Sequence, residues 1–248
     1  MNILVVCKHS KNNPKSKVCQ LINSKSKVNY SWKNNLKPEE TKKYDLIVSI
    51  GGDGTALSAS HYLKDTPLLA VNSSPKTSVG AITTIPSNKL NKKIELIENN
   101  NYKIKSFQRI KVKINNKELE PLALNDVFIA NQKPYLTSKY TLKINNKEEY
   151  QISSGLIFST GTGSKAWFKS AGGKPFKTTK NIIKMIVREP YKSKLNGITI
   201  KKATLKNSAN IEVHVPSTLA IDSIREYKLK KGDKISISLS NHPLKKII

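Results

Sequence analysis

The composition of this 248-residue chain limits its class. Its hydrophobic content of 37% lies above the disordered regime and supports one large domain or two modest ones. No apolar run approaches the roughly 18 residues of a membrane span, so we expect a cytoplasmic protein without membrane contact. The net charge of +27 comes almost entirely from lysines spread along the whole chain. Because a dense basic run and the aromatic set of an RNA-binding module are absent from the sequence, we expect no nucleic-acid partner.

The first hundred residues alternate between short apolar runs and helical or polar stretches. Three apolar runs are predicted to be buried strands: 3–7, 45–50 and 67–71. Helices are predicted to follow Thr55 and to cover residues 90–97, and a weaker helical pattern lies at 18–22. Such alternation is typical of a parallel α/β sheet.

The pattern changes after residue 102, where short β-rich runs are separated by turn signals. The runs lie at 103–114, 122–130, 139–144, 156–159, 182–187, 198–205, 211–215, 219–222 and 234–239. The pairs Asn115-Asn116 and Asn145-Asn146 are typical of tight hairpin turns. We therefore expect a Rossmann-like α/β domain over residues 1–102 and a β-rich, β-sandwich-like domain over 103–248.

The segment from Tyr44 to Thr55 runs from a buried strand into a glycine-rich turn that carries one carboxylate. Glycine lets the backbone approach a phosphate closely, and the helix N-terminus that follows supplies N–H donors and partial positive charge. A carboxylate beside an anion is repelled by it, so Asp53 is expected to have a chemical role, such as accepting a proton or holding a metal. The alternative is a tight strand-to-helix turn capped by Asp53 or Thr55.

Two further motifs lie in the β-rich half. The run from Thr160 to Trp167 offers hydroxyl and backbone groups for close hydrogen bonds, and the indole is a flat face on which a base can stack. Asn125 and Asp126 precede an apolar strand, where a polar pair can bind the paired hydroxyls of a ribose. Alone, each motif is also explained by a turn or a strand cap, with Trp167 as a core anchor.

Together, Gly-Gly-Asp-Gly-Thr at 51–55, Asn-Asp at 125–126 and Thr-Gly-Thr-Gly-Ser-Lys-Ala-Trp at 160–167 resemble the NAD kinase family. The order and spacing of three separate motifs carry this resemblance, which covers most of the chain. At two positions of the third motif this chain has Gly161 and Lys165, where many bacterial members have Pro and Thr. In this respect the motif resembles that of the mitochondrial-type NAD kinases and their prokaryotic relatives.

The resemblance implies the NAD kinase fold and phosphorylation of the 2′-hydroxyl of the adenosine ribose of NAD, which gives NADP. ATP or polyphosphate would be the donor, and Asp53 would be the general base. A divalent ion, Mg²⁺, would accompany ATP without a dedicated protein cage, because Mg²⁺ often binds mainly through water and substrate phosphates. A homodimer or homotetramer is expected.

The resemblance also implies which residues contact the nucleotides. The loop residues facing phosphate would be Gly51, Gly52, Gly54 and Thr55. The dinucleotide contacts would be Asn72, Asn125, Asp126, Thr160, Thr162, Lys165, Ala166, Trp167 and Ser170. Trp167 stands in place of the family's Tyr and keeps an aromatic face, whereas Ser154 replaces the Asp that many members carry before Gly155.

Two other functions share part of this pattern. A lipid kinase of the diacylglycerol or sphingosine type has a related glycine-rich loop but does not need the motif at 160–167. A non-catalytic dinucleotide-binding regulator would keep the pocket but gains nothing from Asp53 beside phosphate.

Overall fold

The computed structural model describes residues 1–8, 22, 24–75, 80–191 and 198–248. These residues divide into two compact units, Met1–Phe107 with Pro243–Ile248, and Gln108–His242. Residues 18–21 of the predicted first helix lie outside the described part of the chain. No helix of the described residues is long and apolar enough to cross a membrane.

Strands greatly outnumber helices among the described residues. The strands, in chain order, are β1 (Asn2–Cys7), β2 (Lys27–Trp32), β3 (Leu46–Gly51), β4 (Leu68–Asn72), β5 (Ile85–Pro86), β6 (Ile104–Phe107), β7 (Ile110–Ile114), β8 (Lys117–Glu118), β9 (Asp126–Asn131), β10 (Ser138–Ile144), β11 (Lys147–Ser153), β12 (Gly155–Ser159), β13 (Lys184–Arg188), β14 (Lys202–Thr204), β15 (Ser208–Val213), β16 (Ser217–Ile221), β17 (Arg225–Leu229), β18 (Lys234–Leu239) and β19 (Leu244–Ile247). The helices are α1 (Pro38–Thr41), α2 (Asp53–Ser60), α3 (Leu90–Glu98) and α4 (Trp167–Ser170).

The first unit is built on one sheet in the order β2-β1-β3-β4-β19-β6, with β5 beside β4. Strands β1 to β4 are mutually parallel, and every residue of β3 and β4 is buried, as expected for parallel strands covered on both faces. Helix α3 presents Leu90, Ile94 and Ile97 to the same core, at the spacing of one helix face. The α/β expectation for this half is confirmed.

The C-terminal strand β19 belongs to this first sheet. It runs antiparallel to β6, with Leu244 opposite Phe107, and parallel to β4. The change of sequence pattern after residue 102 predicts a domain boundary there, with all later residues in the second domain. The contacts instead return β6 and Pro243–Ile248 to the first unit, because β19 needs β4 and β6 as hydrogen-bonding neighbours.

The second unit contains two antiparallel sheets, β11-β10-β15-β18-β7-β8 and β14-β13-β12-β9-β16-β17. Side chains from both sheets, such as Leu142 on β10 and Leu156 on β12, belong to one hydrophobic core, which is the arrangement of a β-sandwich. The pairs Asn115-Asn116 and Asn145-Asn146 adopt positive φ angles and connect hairpin strands, as two-residue turns of this type require. The β-rich expectation is therefore confirmed.

Candidate functional site

The glycine-rich turn lies where β3 ends and α2 begins. A Cβ atom on Gly51 would lie 2.4 Å from the hydroxyl of Thr55, so only glycine lets the buried Thr55 side chain fold back against the strand. At Gly54 the position of a Cβ atom is open, with no atom of the described residues within 4 Å. Gly54 is the exposed residue of the first turn of α2, and helix N-termini bind anions through free N–H groups and the helix dipole.

Asn72 lies at the same end of the sheet as this turn. It is the register partner of Gly51 in the parallel pair β3–β4, and Ser73 N–H donates to the Gly51 carbonyl at 3.2 Å. The Asn72 Oδ1 atom accepts the Ser74 N–H at 2.9 Å. Because parallel strands end at the same sheet edge, the loop and Asn72 are brought together there, as at other α/β ligand sites.

The Asp53 carboxylate is held by the segment that precedes β5. Its Oδ2 atom accepts Ala81 N–H at 2.9 Å, and its Oδ1 atom accepts Ile82 N–H at 2.9 Å. Oδ1 also accepts the backbone N–H and the hydroxyl of Thr83, both at 3.0 Å. Partial burial pushes the pKa of Asp53 upward, but these hydrogen bonds outweigh it and hold the pKa below its usual range. Asp53 is therefore ionised at neutral pH.

The second and third motifs meet in the other unit. Ser159 is the register partner of Asp126 across β12 and β9, and Thr160 donates its N–H to the Asn125 carbonyl at 2.9 Å. The buried Thr160 hydroxyl donates to the Leu124 carbonyl at 2.5 Å. A Cβ atom on Gly163 would lie 2.2 Å from the Asn125 carbonyl oxygen. The Thr-Gly-Thr-Gly loop thus packs directly on the backbone of the Asn-Asp pair.

Asp222, which the sequence motifs did not include among the site residues, supports this pair. Its carboxylate accepts the N–H groups of Leu124, Asn125 and Asp126 at 2.8, 2.8 and 2.9 Å. Asp222 has a φ angle of 51°, a left-handed conformation that Asp tolerates better than most residues. Burial, followed by the negative charge of Asp222, raises the pKa of Asp126 to about 7.

Trp167 sits in a cluster of ring and cation contacts. Its ring centroid lies 4.5 Å from that of Phe128 at an angle of 48°. The Arg188 guanidinium carbon lies 5.5 Å from the Trp167 centroid and 5.7 Å from the Phe128 centroid, within cation–π range. Trp167 remains partly exposed, so it combines an anchoring role with an accessible aromatic surface. Phe128 and Arg188 were not predicted as part of this cluster.

The remaining predicted contacts follow β12. Lys165 ends the short 3₁₀ turn Gly163–Lys165, and Lys165, Ala166 and Ser170 are all exposed. The Thr162 hydroxyl oxygen is buried and has no hydrogen-bond partner among the described residues. The predicted site residues therefore form two local groups, one in each unit.

A protein-built metal cage is not formed by the residues that the structure describes. Within those ranges, no three His, Cys, Asp or Glu side chains lie close enough together to hold an ion. A divalent ion at such a site would depend on ligands that come with a substrate.

Comparisons with known proteins find that this chain is similar to NAD kinases. Residues 4–102 match the family model described as the ATP-NAD kinase N-terminal domain. An NAD kinase of Thermoplasma volcanium is 29% identical over 202 residues, which are 79% of this chain and 71% of that protein.

Two solved structures share the fold. An NAD kinase from Archaeoglobus fulgidus in complex with ATP superimposes with a TM-score of 0.75 at 22% identity, covering 99% of this chain and 92% of that one. The yeast NADH kinase complexed with NADH gives a TM-score of 0.79 at 16% identity, covering 99% of this chain and 82% of that one. The fold expected from the resemblance is therefore confirmed.

Proposed function

We infer that this chain, which belongs to the NAD kinase family, transfers a phosphoryl group from ATP to the 2′-hydroxyl of the adenosine ribose of NAD and so makes NADP. The observation that carries this proposal is the ionised Asp53 carboxylate at the start of α2, one residue before the open position at Gly54. The two alternative functions, a lipid kinase and a non-catalytic regulator, are not supported by the family model or the relatives reported above, which are described as NAD kinases.

Asp53 is proposed as the group that accepts the proton of the ribose hydroxyl. Its low pKa makes it a weak base, and a weak base suffices when the transition state is loose and the proton leaves late. What matters more is that the carboxylate is charged and fixed in place before substrate arrives. The hydrogen bonds from Ala81, Ile82 and Thr83 provide that fixed position.

The donor phosphates are proposed to bind at the N-terminus of α2. Gly52 and Gly54 allow close backbone approach, and the helix dipole favours an anion at this end. ATP would enter as its Mg²⁺ complex, with the ion held by phosphate oxygens and water. The large positive net charge of +27 would attract such polyanionic substrates to the protein.

The second group of residues is proposed to bind NAD. Asn125 and Asp126 would hold ribose hydroxyls, with Thr162 offering a hydroxyl that has no partner among the described residues. Trp167 would give an aromatic surface to a base, and the exposed Lys165 would reach a phosphate as a flexible point charge. Thr160 would act by holding the Asn-Asp pair, because its hydroxyl is occupied by the Leu124 carbonyl.

The proposal also includes a cytoplasmic location and a homodimer or homotetramer. A mass of 27.7 kDa per chain lets light scattering of the purified protein distinguish these assemblies from a monomer.

The decisive experiment measures NADP formation by purified protein with NAD and ATP, with and without a chelator of Mg²⁺. Asp53→Asn keeps the shape of the side chain but removes its charge, and we expect the rate to fall by about 10²–10⁴-fold. Asp65→Asn is the matched control, since Asp65 is an exposed carboxylate of the same unit that contacts Lys245, and it should keep the wild-type rate.

The outcomes separate two errors. If the wild-type protein makes no NADP with ATP or polyphosphate, the proposed function is wrong. If the wild type is active and Asp53→Asn is equally active, the function stands and the role given to Asp53 is wrong.

A further inference from the structure

Lys246 on β19 occupies a position where a lysine is costly. It is only 4% exposed, and its neighbours across the sheet are Leu68 on β4 and a second lysine, Lys105, on β6. Like charges directly opposite each other destabilise a strand pair, and removing an ammonium group from water carries a further penalty. An apolar side chain would be more stable at this position of the sheet. The buried ammonium group therefore needs a hydrogen-bond partner that stabilises it.

That partner is the peptide group between Ile82 and Thr83. The Lys246 Nζ atom donates to the Ile82 carbonyl oxygen at 2.6 Å. The Thr83 N–H, at the other end of the same peptide group, donates to the Asp53 Oδ1 atom at 3.0 Å. One amide is thus polarised by a cation at its oxygen and an anion at its hydrogen, and hydrogen bonds arranged in such a chain strengthen one another.

The charges around this bridge come from three elements of the first unit. Asp53 lies at the start of α2, Lys246 lies on β19, and Lys105 lies on β6. Both ammonium groups approach the Phe107 ring, at 5.6 Å for Lys246 and 5.5 Å for Lys105. Burial lowers the pKa of Lys246, whereas the Asp53 charge acts in the opposite direction. Because electrostatic coupling between two sites is reciprocal, Lys246 must also favour the charged form of Asp53.

We propose that Lys246 is a positioning residue for Asp53, which it holds in place and in its charged form through the Ile82–Thr83 peptide group. This inference rests on the proposed function, in which Asp53 accepts the hydroxyl proton. Lys246 itself is too buried to touch a substrate, so it acts from behind the carboxylate. It lies on β19, the last strand of the described residues, and is far from Asp53 in sequence.

The test compares Lys246→Met with Lys245→Met. Methionine keeps the length and apolar stem of the buried side chain, and Lys245 is the adjacent lysine, whose Nζ lies 3.3 Å from the exposed Asp65 carboxylate. We expect Lys246→Met to lower kcat by about 10- to 100-fold, the usual result of a misplaced catalytic group, with a much smaller change in KM for NAD. Lys245→Met should keep both parameters.

The second measurement does not depend on activity. Carbon-detected NMR titration of the Asp carboxyl groups gives the pKa of Asp53 in the substrate-free protein. Loss of the nearby cation should raise the Asp53 pKa in Lys246→Met, and the acid limb of the pH–rate profile should move to higher pH with it. A lysine that merely completes the sheet would leave both unchanged.

Lys246→Gln separates charge from hydrogen bonding and serves if the methionine variant does not fold. Glutamine can donate to the Ile82 carbonyl but carries no charge, so it should raise the Asp53 pKa while retaining more of kcat than methionine does. An unchanged Asp53 pKa and a wild-type kcat in a folded Lys246 variant would overturn the proposal. An inactive wild-type protein would count against the proposed function, and the NMR titration would still decide what Lys246 does to Asp53.

Discussion

The carboxylates of Asp53 and Asp222 bind backbone N–H groups in the same way, but a cation is linked to Asp53 and a second carboxyl group lies near Asp222. Each carboxylate accepts N–H groups from three consecutive residues, Ala81 to Thr83 for Asp53 and Leu124 to Asp126 for Asp222. Asp53 is connected through a peptide group to the ammonium of Lys246. Asp222 is close to the carboxyl group of Asp126, whose pKa its charge helps to raise to about 7.

Both carboxylates accept three backbone N–H groups, so these hydrogen bonds do not explain how the two differ. The difference lies in the neighbouring charged group, which is the Lys246 ammonium for Asp53 and the Asp126 carboxyl group for Asp222. Asp53 combines its N–H donors with a cation and stays ionised, as a proton acceptor must. Asp222 uses its charge to organise the Asn-Asp turn, and the neighbouring Asp126 absorbs the repulsion by favouring its neutral form. The first carboxylate is proposed to take part in the reaction, and the second organises the Asn-Asp pair that is proposed to bind NAD.

The largest effect on folding is expected from Asp222→Asn. Asparagine tolerates the left-handed backbone at this position, but its NH₂ group would face backbone donors. Asparagine keeps one acceptor oxygen, and each buried N–H left unpaired costs about 1–3 kcal/mol, so we expect the unfolding free energy of the second unit to fall by up to about 3 kcal/mol. Urea unfolding measures this loss, and NAD affinity should fall with it because the Asn-Asp turn is released.

Asp233→Asn is the matched control for that variant. Asp233 also accepts a backbone N–H, that of Lys230 at 2.8 Å, and an Asn115 side-chain N–H at 2.9 Å, but at the protein surface. Water can replace these contacts, so the loss should stay within about 1 kcal/mol. Equal losses in the two variants would show that Asp222 is an ordinary turn carboxylate.

The sequence predicted the elements whose residues carry an apolar pattern or a strong turn signal. Buried runs such as 45–50 became strands, and the Asn-Asn pairs became hairpin turns. The strands β2, β11, β17 and β19 were missed because lysine, glutamate and other polar residues interrupt their apolar pattern, and pairing with neighbouring strands overrides weak local propensity. The Leu-Lys-Lys-Ile segment of β19 gives no local sign that it joins the first sheet.

The same limit applies to the candidate site. The local motifs, Gly51–Thr55 and Thr160–Trp167, could be found because each is contiguous in sequence. Asp222 and Lys246 could not be assigned their contacts, since they act on backbone groups about 100 and 160 positions away, at separations of 96 for Asp126 and 164 for Ile82. Backbone groups are present at every residue, so no side-chain spacing marks such a contact.

A smaller effect, which depends on pH, is expected from Asp126→Asn. The folded-state pKa of Asp126 is raised from 3.8 to about 7, so folding favours the protonated acid. Its contribution to stability is complete below about pH 4 and is lost as the pH rises through about 7. Asparagine stays neutral, so the unfolding free energy of the variant should match that of the wild type near pH 3.5 and exceed it at pH 8.

The expected gain at pH 8 is about 2 kcal/mol, because one pKa unit corresponds to about 1.4 kcal/mol and relaxation of the buried pair removes part of the full difference. Parallel urea titrations at the two pH values measure it. A constant difference between variant and wild type across this range would mean that Asp126 is ionised throughout and that Asp222 does not oppose it.

The smallest effect on folding is expected at Gly54, and it tests whether the two glycine loops serve different purposes. The Cβ position of Gly54 is open among the described residues, whereas that of Gly163 lies 2.2 Å from the Asn125 carbonyl oxygen. Gly54→Ala should leave the unfolding free energy unchanged or raise it by up to about 1 kcal/mol, since alanine favours a helix. It should raise KM for ATP, because the methyl group obstructs the phosphates.

Gly163→Ala should instead lower the unfolding free energy by about 1–3 kcal/mol through overpacking. Thermal unfolding and ATP kinetics of both variants measure the contrast, and an unchanged KM for ATP in Gly54→Ala would place the donor phosphates elsewhere than the first turn of α2.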